Sequence, residues 1–451
     1  MDAAWLSKLN EQQRAAAVFG DEPLLIIAGA GTGKTNTLAY RVACLIGRGI
    51  SPARILLLTF TRRASAEMLK RVESILATSS GTAPPAAVAA KVWGGTFHAM
   101  ANRLLRIHAK SLGLGEAFTV IDRSDAEDLI NVVRSELGLD KGQVRFPRKG
   151  TCMQIYSRCV NAQCGVEEAL KSHFPWCQDY PDQLRSLFKA YTQRKQETNV
   201  LDYDDLLLYW YHMMRDESVA AEVRKRFDAV LVDEYQDTNA LQAAILKNLC
   251  PTGRGLTVVG DDAQSIYSFR AATVHNILDF EKTWPGATVL KLEQNYRSVQ
   301  PILEATNEVI ALSPQRHDKD LFSTRLSDQK PRLVTVEDED QQCEYVIQEM
   351  LGHLEAGIAL RKQAVLFRAA HHSDALEVEL SRRNIPFVKY GGLKFLEAAH
   401  VKDALSILRL AENPRDLTSA LRVLQLIDGI GPGHLSITHI SAGPVAEMDV
   451  R

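Results

Sequence analysis

Long apolar runs are missing from this chain of 451 residues. The longest, such as Leu24–Ala30 and Ile55–Leu58, fall well short of the roughly 20 residues that a membrane-spanning helix needs. The start, MDAAWLSKLNEQQ, lacks the apolar core of a secretion signal. Cysteine is scarce and odd in number, seven in all. Cys152, Cys159, Cys164 and Cys177, with His173 nearby, are separated by six, four and twelve residues, without the tight pairs of a zinc site or a disulfide framework. They read as buried or spectator thiols in a reducing compartment. Charge of one sign is lacking too: 53 Lys and Arg stand against 55 Asp and Glu. No global field marks a polyanionic partner, so any such partner must be held by local clusters. What remains is ordinary globular composition with no repeat or low-complexity tract, and length for about three domains. The expectation is a soluble cytoplasmic protein with no membrane partner.

Short Leu, Ile and Val runs that end in small or acidic residues alternate with amphipathic stretches. This is the rhythm of an α/β fold, parallel strands with crossover helices. The candidate strands are Leu24–Ile27, Ile55–Leu58, Val230–Val232, Leu256–Val259, Val289–Leu292, Leu333–Val336 and Val365–Phe367. They predict a first α/β unit over residues 1–108 and 197–284, interrupted by a helical insertion over 109–196. Within the insertion, Gln143–Gly150 is basic and turn-like. A second unit, starting near Gly286, covers 285–412, and 413–451 begins a further segment through the Gly/Pro-rich Asp428–Gly433. In the second unit Val401, Ala404, Leu405 and Leu408 follow the spacing of a core-facing helix stripe, and Glu337–Asp340 reads as a solvated turn.

One stretch carries chemistry outright. Leu24-Leu-Ile-Ile runs into Ala28-Gly29-Ala30-Gly31-Thr32-Gly33-Lys34-Thr35, and a helix-like segment follows. Strand, glycine-rich loop and helix N-terminus stand in the order of a P-loop, although its usual first glycine is Ala28 here. The glycines let backbone N–H groups close around phosphate oxygens, Lys34 would reach the β- and γ-phosphates, and the Thr35 hydroxyl would ligate Mg2+. A second strand, Val230–Val232, leads directly into Asp233-Glu234. Such an ending is common in structural strands, but beside a P-loop Asp233 fits the Mg2+-holding carboxylate and Glu234 the group that polarises the attacking water. These residues by themselves argue for nucleoside triphosphate hydrolysis and no narrower class.

Further segments narrow it. Asp233-Glu-Tyr-Gln-Asp-Thr-Asn, Gly260-Asp-Asp-Ala-Gln-Ser-Ile-Tyr-Ser-Phe-Arg and Leu292-Glu-Gln-Asn-Tyr-Arg-Ser closely resemble, in order, motifs of the superfamily 1 DNA helicases of the UvrD/Rep type. Leu9-Asn-Glu-Gln-Gln13, Thr59-Phe-Thr-Arg-Arg-Ala-Ser-Ala-Glu-Met, Gly95-Thr-Phe-His-Ala-Met, Leu201-Asp-Tyr-Asp-Asp-Leu, Leu366-Phe-Arg and Gly391-Gly-Leu-Lys-Phe extend the resemblance over about residues 6 to 433. It implies a P-loop NTPase with two RecA-like units, the second incomplete, ATP and Mg2+ as cofactors, and single-stranded or partly duplex DNA as partner.

Carried over by position, the resemblance assigns adenine recognition to Gln13 and base stacking to Tyr296. Gln264 would sense the γ-phosphate, and Arg297 would act as an arginine finger supplied from the second unit. Asn36 stands where close relatives place an Arg. Phe60, Tyr267 and Phe269 match aromatics that wedge between bases, with Arg62, His98, Arg270 and Arg368 as further DNA contacts. The interval Lys91–Lys110, with four Lys or Arg and no acid, adds a local basic stretch. The family's two last motifs, one of them bearing a second arginine finger, are not found after Gly433. Two readings therefore stand: a 3′→5′ helicase truncated before those motifs, or an ATP- and single-strand-binding module with little unwinding.

Overall fold

A computed structural model describes residues 4–78, 84–115, 117–139, 146–390, 399–424 and 426–427. They form two compact units, one running to Gln329 and resuming at Ser406, the other spanning Lys330–Leu405.

In the first unit the apolar runs become the strands β1 (Leu24–Ala28), β2 (Ile55–Thr59), β3 (Trp93–Thr96), β6 (Ala229–Val232), β7 (Leu256–Gly260) and β8 (Thr288–Leu292), with the short β4 (Thr119–Val120) and β5 (Val200–Leu201) between. The six longer strands make one parallel sheet in the order β3-β2-β6-β7-β1-β8. Both faces are covered, which is why these strands read as continuous apolar runs and not as alternation. Leu25, Ile27, Leu56, Leu58, Val230 and Val232 pack to one side with Trp210 and Trp284. Leu24, Ile26, Ile55, Leu57 and Leu231 pack to the other with Leu38 and Val42 of the helix that follows the P-loop. Leu57 is fully buried, so truncating it to Ala would cost about 2–5 kcal/mol.

Two strands depart from the expected pattern. β3, Trp-Gly-Gly-Thr, has no apolar run. Its glycines admit neighbours instead: a Cβ at Gly94 would lie 3.0 Å from Leu69 and one at Gly95 2.6 Å from Met100. β8 was expected to open the second unit, but it pairs along β1 from Leu24–Thr288 to Ala28–Leu292. The segment that separates as a compact cluster of its own is Lys330–Leu405.

Between β4 and β5, which pair with each other, the chain is helical: Arg123–Glu136, Lys149–Ala162, Val166–His173 and Pro181–Glu197. These helices enclose their own core of Leu129, Ile130, Ile155, Leu184 and Tyr191, with Cys152 and Cys177 inside it. At its base the buried Lys195 lies 2.6 Å from both Asp202 and Asp205.

The second unit packs the helices Glu339–Glu355 and Asp374–Arg382 around Cys343, Ile347, Leu376 and Leu380. Glu337–Asp340 is no loose turn: Asp338 caps the first of these helices. The expected strands Leu333–Val336 and Val365–Phe367 are not formed, and Leu333 and Leu366 are 94% and 92% exposed. A parallel strand exists only beside a neighbour brought by a crossover, and the described residues of this unit provide none. The helix Ala399–Glu412 is present, yet its apolar stripe does not face a core, since Leu408 is 67% exposed. Gln143–Arg145, Gly391–Phe395, Asp428–Gly433 and the last residues lie outside the described residues. Among the described residues no helix is long and apolar enough to cross a membrane.

Candidate nucleotide site and nucleic-acid interface

In a parallel sheet the strands all end on one edge, and ligands bind there. Here the loops after β1, β6, β7 and β8 carry the nucleotide candidates, and those after β2, β3 and β7 carry the nucleic-acid candidates.

The P-loop leaves β1 at the buried Ala28. Gly31 and Gly33 take left-handed φ of +79° and +86°, which favour glycine. Close neighbours add a second demand. A Cβ at Gly31 would meet Arg297 Cβ at 2.7 Å, one at Gly33 the Gln13 amide at 2.8 Å, and one at Gly29 would run into the Leu321 side chain. The Thr32 hydroxyl donates to Gly29 O at 2.8 Å and closes the loop. The helix Lys34–Gly47 starts at Gly33 with no side-chain cap, so its first N–H groups are available to an anion.

Lys34, almost buried, holds Glu234 at 2.8 Å. Glu234 also accepts from Gln236 Nε2 at 2.8 Å and has a left-handed φ of +51°, a costly conformation for a non-glycine residue that is characteristic of functional sites. Beside it Asp233 Oδ1 is buried without a hydrogen-bond partner among the described residues. Burial first, and then the Glu234 charge, push the Asp233 carboxyl up to about 7. An orphaned buried carboxylate oxygen is what a divalent cation would satisfy, and the Thr35 hydroxyl has no partner among the described residues, so the pair fits Mg2+. Asp237, not foreseen from the sequence, repeats the pattern: its Oδ1 is also buried without a partner, and burial and Glu234 raise it to about 6.

The remaining nucleotide candidates converge on the same loop. Gln13 donates to Thr32 O at 2.9 Å and forms a capping box with Asn10. Tyr296 N donates to Gly31 O at 2.9 Å, and its hydroxyl accepts from Asn10 at 2.9 Å. Buried Asn295 donates to Ala30 O and accepts from Arg297 N at 2.8 Å. These ties hold Arg297 beside Gly31, and Arg297 is exposed. Gln264 donates to Asp261 Oδ2 at 2.6 Å. Asp261 and Asp262 each lie 2.8 Å from the nearly buried Lys319, whose ammonium burial, the largest single effect, would lower, but which the two carboxylates together hold above its ordinary range. Asn10, Asn295 and Lys319 were missed. Asn10 had a signal, Asn-x-x-Gln before a helix; the other two act only across the fold.

On the other part of the edge Phe60 and Tyr267 lie 4.7 Å apart between ring centroids, and Tyr267 and Phe269 5.8 Å. Arg270 sits over both later rings at 5.5 and 5.6 Å. Phe269 is 73% exposed and Ile266 70%, an apolar surface held in water. Arg62 is exposed in the helix turn just after Phe60. His98 packs edge-on to Tyr203 at 5.9 Å, and burial pushes its imidazole down to about 4. It is therefore neutral at physiological pH. Arg368 is exposed in the second unit. The basic stretch Lys91–Lys110 is partly spent internally: Arg103 stacks on Trp93 at 3.5 Å and Arg106 on Phe118 at 4.3 Å.

Known proteins show the same order of segments. Residues 9–285 match the UvrD/REP helicase N-terminal domain, and residues 290–442 the UvrD-like helicase C-terminal domain. The ATP-dependent DNA helicase PcrA of Staphylococcus aureus is 34% identical over 435 residues, which cover 95% of this chain and 57% of that protein. PcrA of Staphylococcus epidermidis is 35% identical over 433 residues, with the same two coverages of 95% and 57%. The chain thus spans little more than half the length of these curated relatives. With matches to both helicase domains in sequence order, the chain belongs to the UvrD/REP helicase family.

Proposed function

We propose that this protein binds ATP with Mg2+, binds single-stranded or partly duplex DNA, and couples ATP hydrolysis to 3′→5′ movement along the strand, as a cytoplasmic helicase or translocase in DNA repair or recombination. The observation that carries the reading is the shared sheet edge, where the P-loop and acid pair stand beside an exposed aromatic cluster. β7 feeds both, since Gln264 and the Tyr267–Phe269 turn follow it within a few residues.

In this reading the phosphates displace Glu234 from Lys34, and Lys34 then neutralises the β- and γ-oxygens. Freed Glu234 orients the attacking water and takes up its proton. Asp233 and Thr35 would hold Mg2+, which when bound supplies charge neutralisation at the phosphate oxygens. Gln264 reports the γ-phosphate to the loop that carries the aromatics, and Arg297 stabilises charge as the phosphoryl group departs. Gln13 reads the edge of the adenine, and Tyr296 stacks on it. Phe60, Tyr267 and Phe269 stack on bases without reading sequence, helped by Arg62, Arg270, His98 and Arg368.

A second reading, ATP and single-strand binding with little unwinding, is favoured by the second unit, whose apolar segments Leu333–Val336 and Val365–Phe367 are not formed into strands. ATPase assays with and without oligothymidylate, run beside strand displacement on duplexes with 3′ or 5′ tails, separate the two. Stimulated hydrolysis with displacement of 3′-tailed duplex supports the first; stimulation without displacement supports the second. ATPase indifferent to DNA, together with no binding of oligothymidylate, overturns both.

A further inference from the structure

The turn that carries Tyr267 and Phe269 is closed mainly on itself. Arg270 N donates to Tyr267 O at 2.8 Å and Ala271 N to Ser268 O at 3.0 Å. Ala271 takes a left-handed φ of +64°, and two of the turn's apolar side chains stand in water. A segment like this would lose much of its freedom on gripping a strand, and that loss would weaken binding unless the turn were fixed beforehand.

One cation reaches it from outside. Arg158 Nη1 donates to the Ser268 carbonyl at 2.9 Å, across 110 residues of sequence. Arg158 lies on the helix Lys149–Ala162 of the helical insertion. That helix is itself pinned to the sheet unit. Asn161, one turn on, donates to Asp204 Oδ1 at 2.6 Å and accepts from Asn239 Nδ2 at 2.7 Å, and Ser157 donates to Asp204 at 3.1 Å. Asn239 ends the acid segment that begins at Asp233 and forms an isolated bridge with Ala272, just past the aromatic turn. The insertion helix thus grips the turn at Ser268 and braces the chain where the turn ends.

We infer that Arg158 is a positioning residue for single-strand binding: its hydrogen bond to Ser268 O fixes the turn so that the Tyr267 and Phe269 rings project at a set spacing before a strand arrives. It acts through the turn and touches no base or phosphate. The inference rests on the reading that this turn binds single strands.

The test is the affinity of the full chain for fluorescein-labelled oligothymidylate over a range of salt concentrations, with Arg158→Ala, Arg158→Lys and Phe269→Ala compared with the unaltered protein. Arg158→Ala is expected to bind about tenfold more weakly, by loss of a charge-assisted hydrogen bond and of preorganisation. The slope of log affinity against log salt should stay unchanged, and Arg158→Lys, which keeps a cationic donor, should recover part of the loss. If Arg158→Ala does not fold, as judged by its melting curve, Arg158→Lys is read alone and should bind more weakly than the unaltered protein at the same slope. A slope reduced by about 0.7, the signature of one lost phosphate contact on a single strand, overturns the inference. So does unchanged affinity in Arg158→Ala while Phe269→Ala is weakened. Unchanged affinity in Phe269→Ala overturns the underlying reading of the turn.

Discussion

The two parts of the sheet edge are built from the same kind of loop and prepared in opposite ways. At the nucleotide part, Lys34, Asp233 and Asn295 are 8%, 5% and 3% exposed, and the loops are cross-tied by hydrogen bonds from Gln13, Asn295 and Tyr296. At the aromatic part Phe269 is open to water, Phe60 and Tyr267 are half-buried, and the turn is held from behind. The difference follows from the ligands. Phosphate charge is stabilised by oriented donors that have already shed their water. Bases are held by apolar area, which must stay exposed until a strand covers it. One edge can serve both because the strands that carry them are rigid and buried.

Removing the ammonium at the polar part should have the largest effect. Lys34→Ala is expected to lower ATP hydrolysis by on the order of 10²–10³, as for loss of a preorganised group at a developing charge. Its affinity for oligothymidylate should stay within about twofold, as separated sites behave independently. Equal loss of both activities would erase the distinction between the two parts. Phe269→Ala comes next. Truncating an exposed ring should leave the melting temperature nearly unchanged and cost about 1–3 kcal/mol of single-strand affinity in an anisotropy titration. A destabilised Phe269→Ala chain with normal affinity would show that the ring packs and does not bind.

How far the sequence reveals these parts depends on the kind of contact. The strands β1, β2, β6, β7 and β8, the P-loop and the Asp233-Glu234 pair are legible because buried parallel strands read as apolar runs and the phosphate loop needs its own glycine spacing. β3 is not, since its Trp-Gly-Gly-Thr serves close packing with Leu69 and Met100. Leu333–Val336 and Val365–Phe367 carry the same apolar signal as β2, but a strand also needs a neighbour, and that lies outside any local window. Asn295 to Ala30, Lys319 to the Asp261-Asp262 pair, and Arg158 to Ser268 are long-range ties with no periodic signature. For the same reason the basic stretch Lys91–Lys110 does not reveal that two of its four cations stack on Trp93 and Phe118.

A further expected effect concerns the carboxylate at the polar part. Asp233 is held up to about 7 in the folded chain against an ordinary 3.8. Between those values the folded state keeps a proton that the unfolded state gives up, so stability falls as pH rises through this window and levels off above about 7. Asp233→Asn removes the ionisation. In the absence of nucleotide its melting temperature should exceed that of the unaltered chain by a few degrees at pH 8, with at most about 4 kcal/mol at stake. The gap should shrink steadily toward pH 5. Mg2+ added at pH 8 should raise the melting temperature of the unaltered chain and leave Asp233→Asn unmoved, since the cation satisfies Oδ1 only as a carboxylate oxygen. Phe269 carries no ionisable group, so the melting gap of Phe269→Ala should be flat over the same range. A pH-independent gap for Asp233→Asn would mean that Oδ1 is solvated, and that the polar part is no more desolvated than the aromatic one.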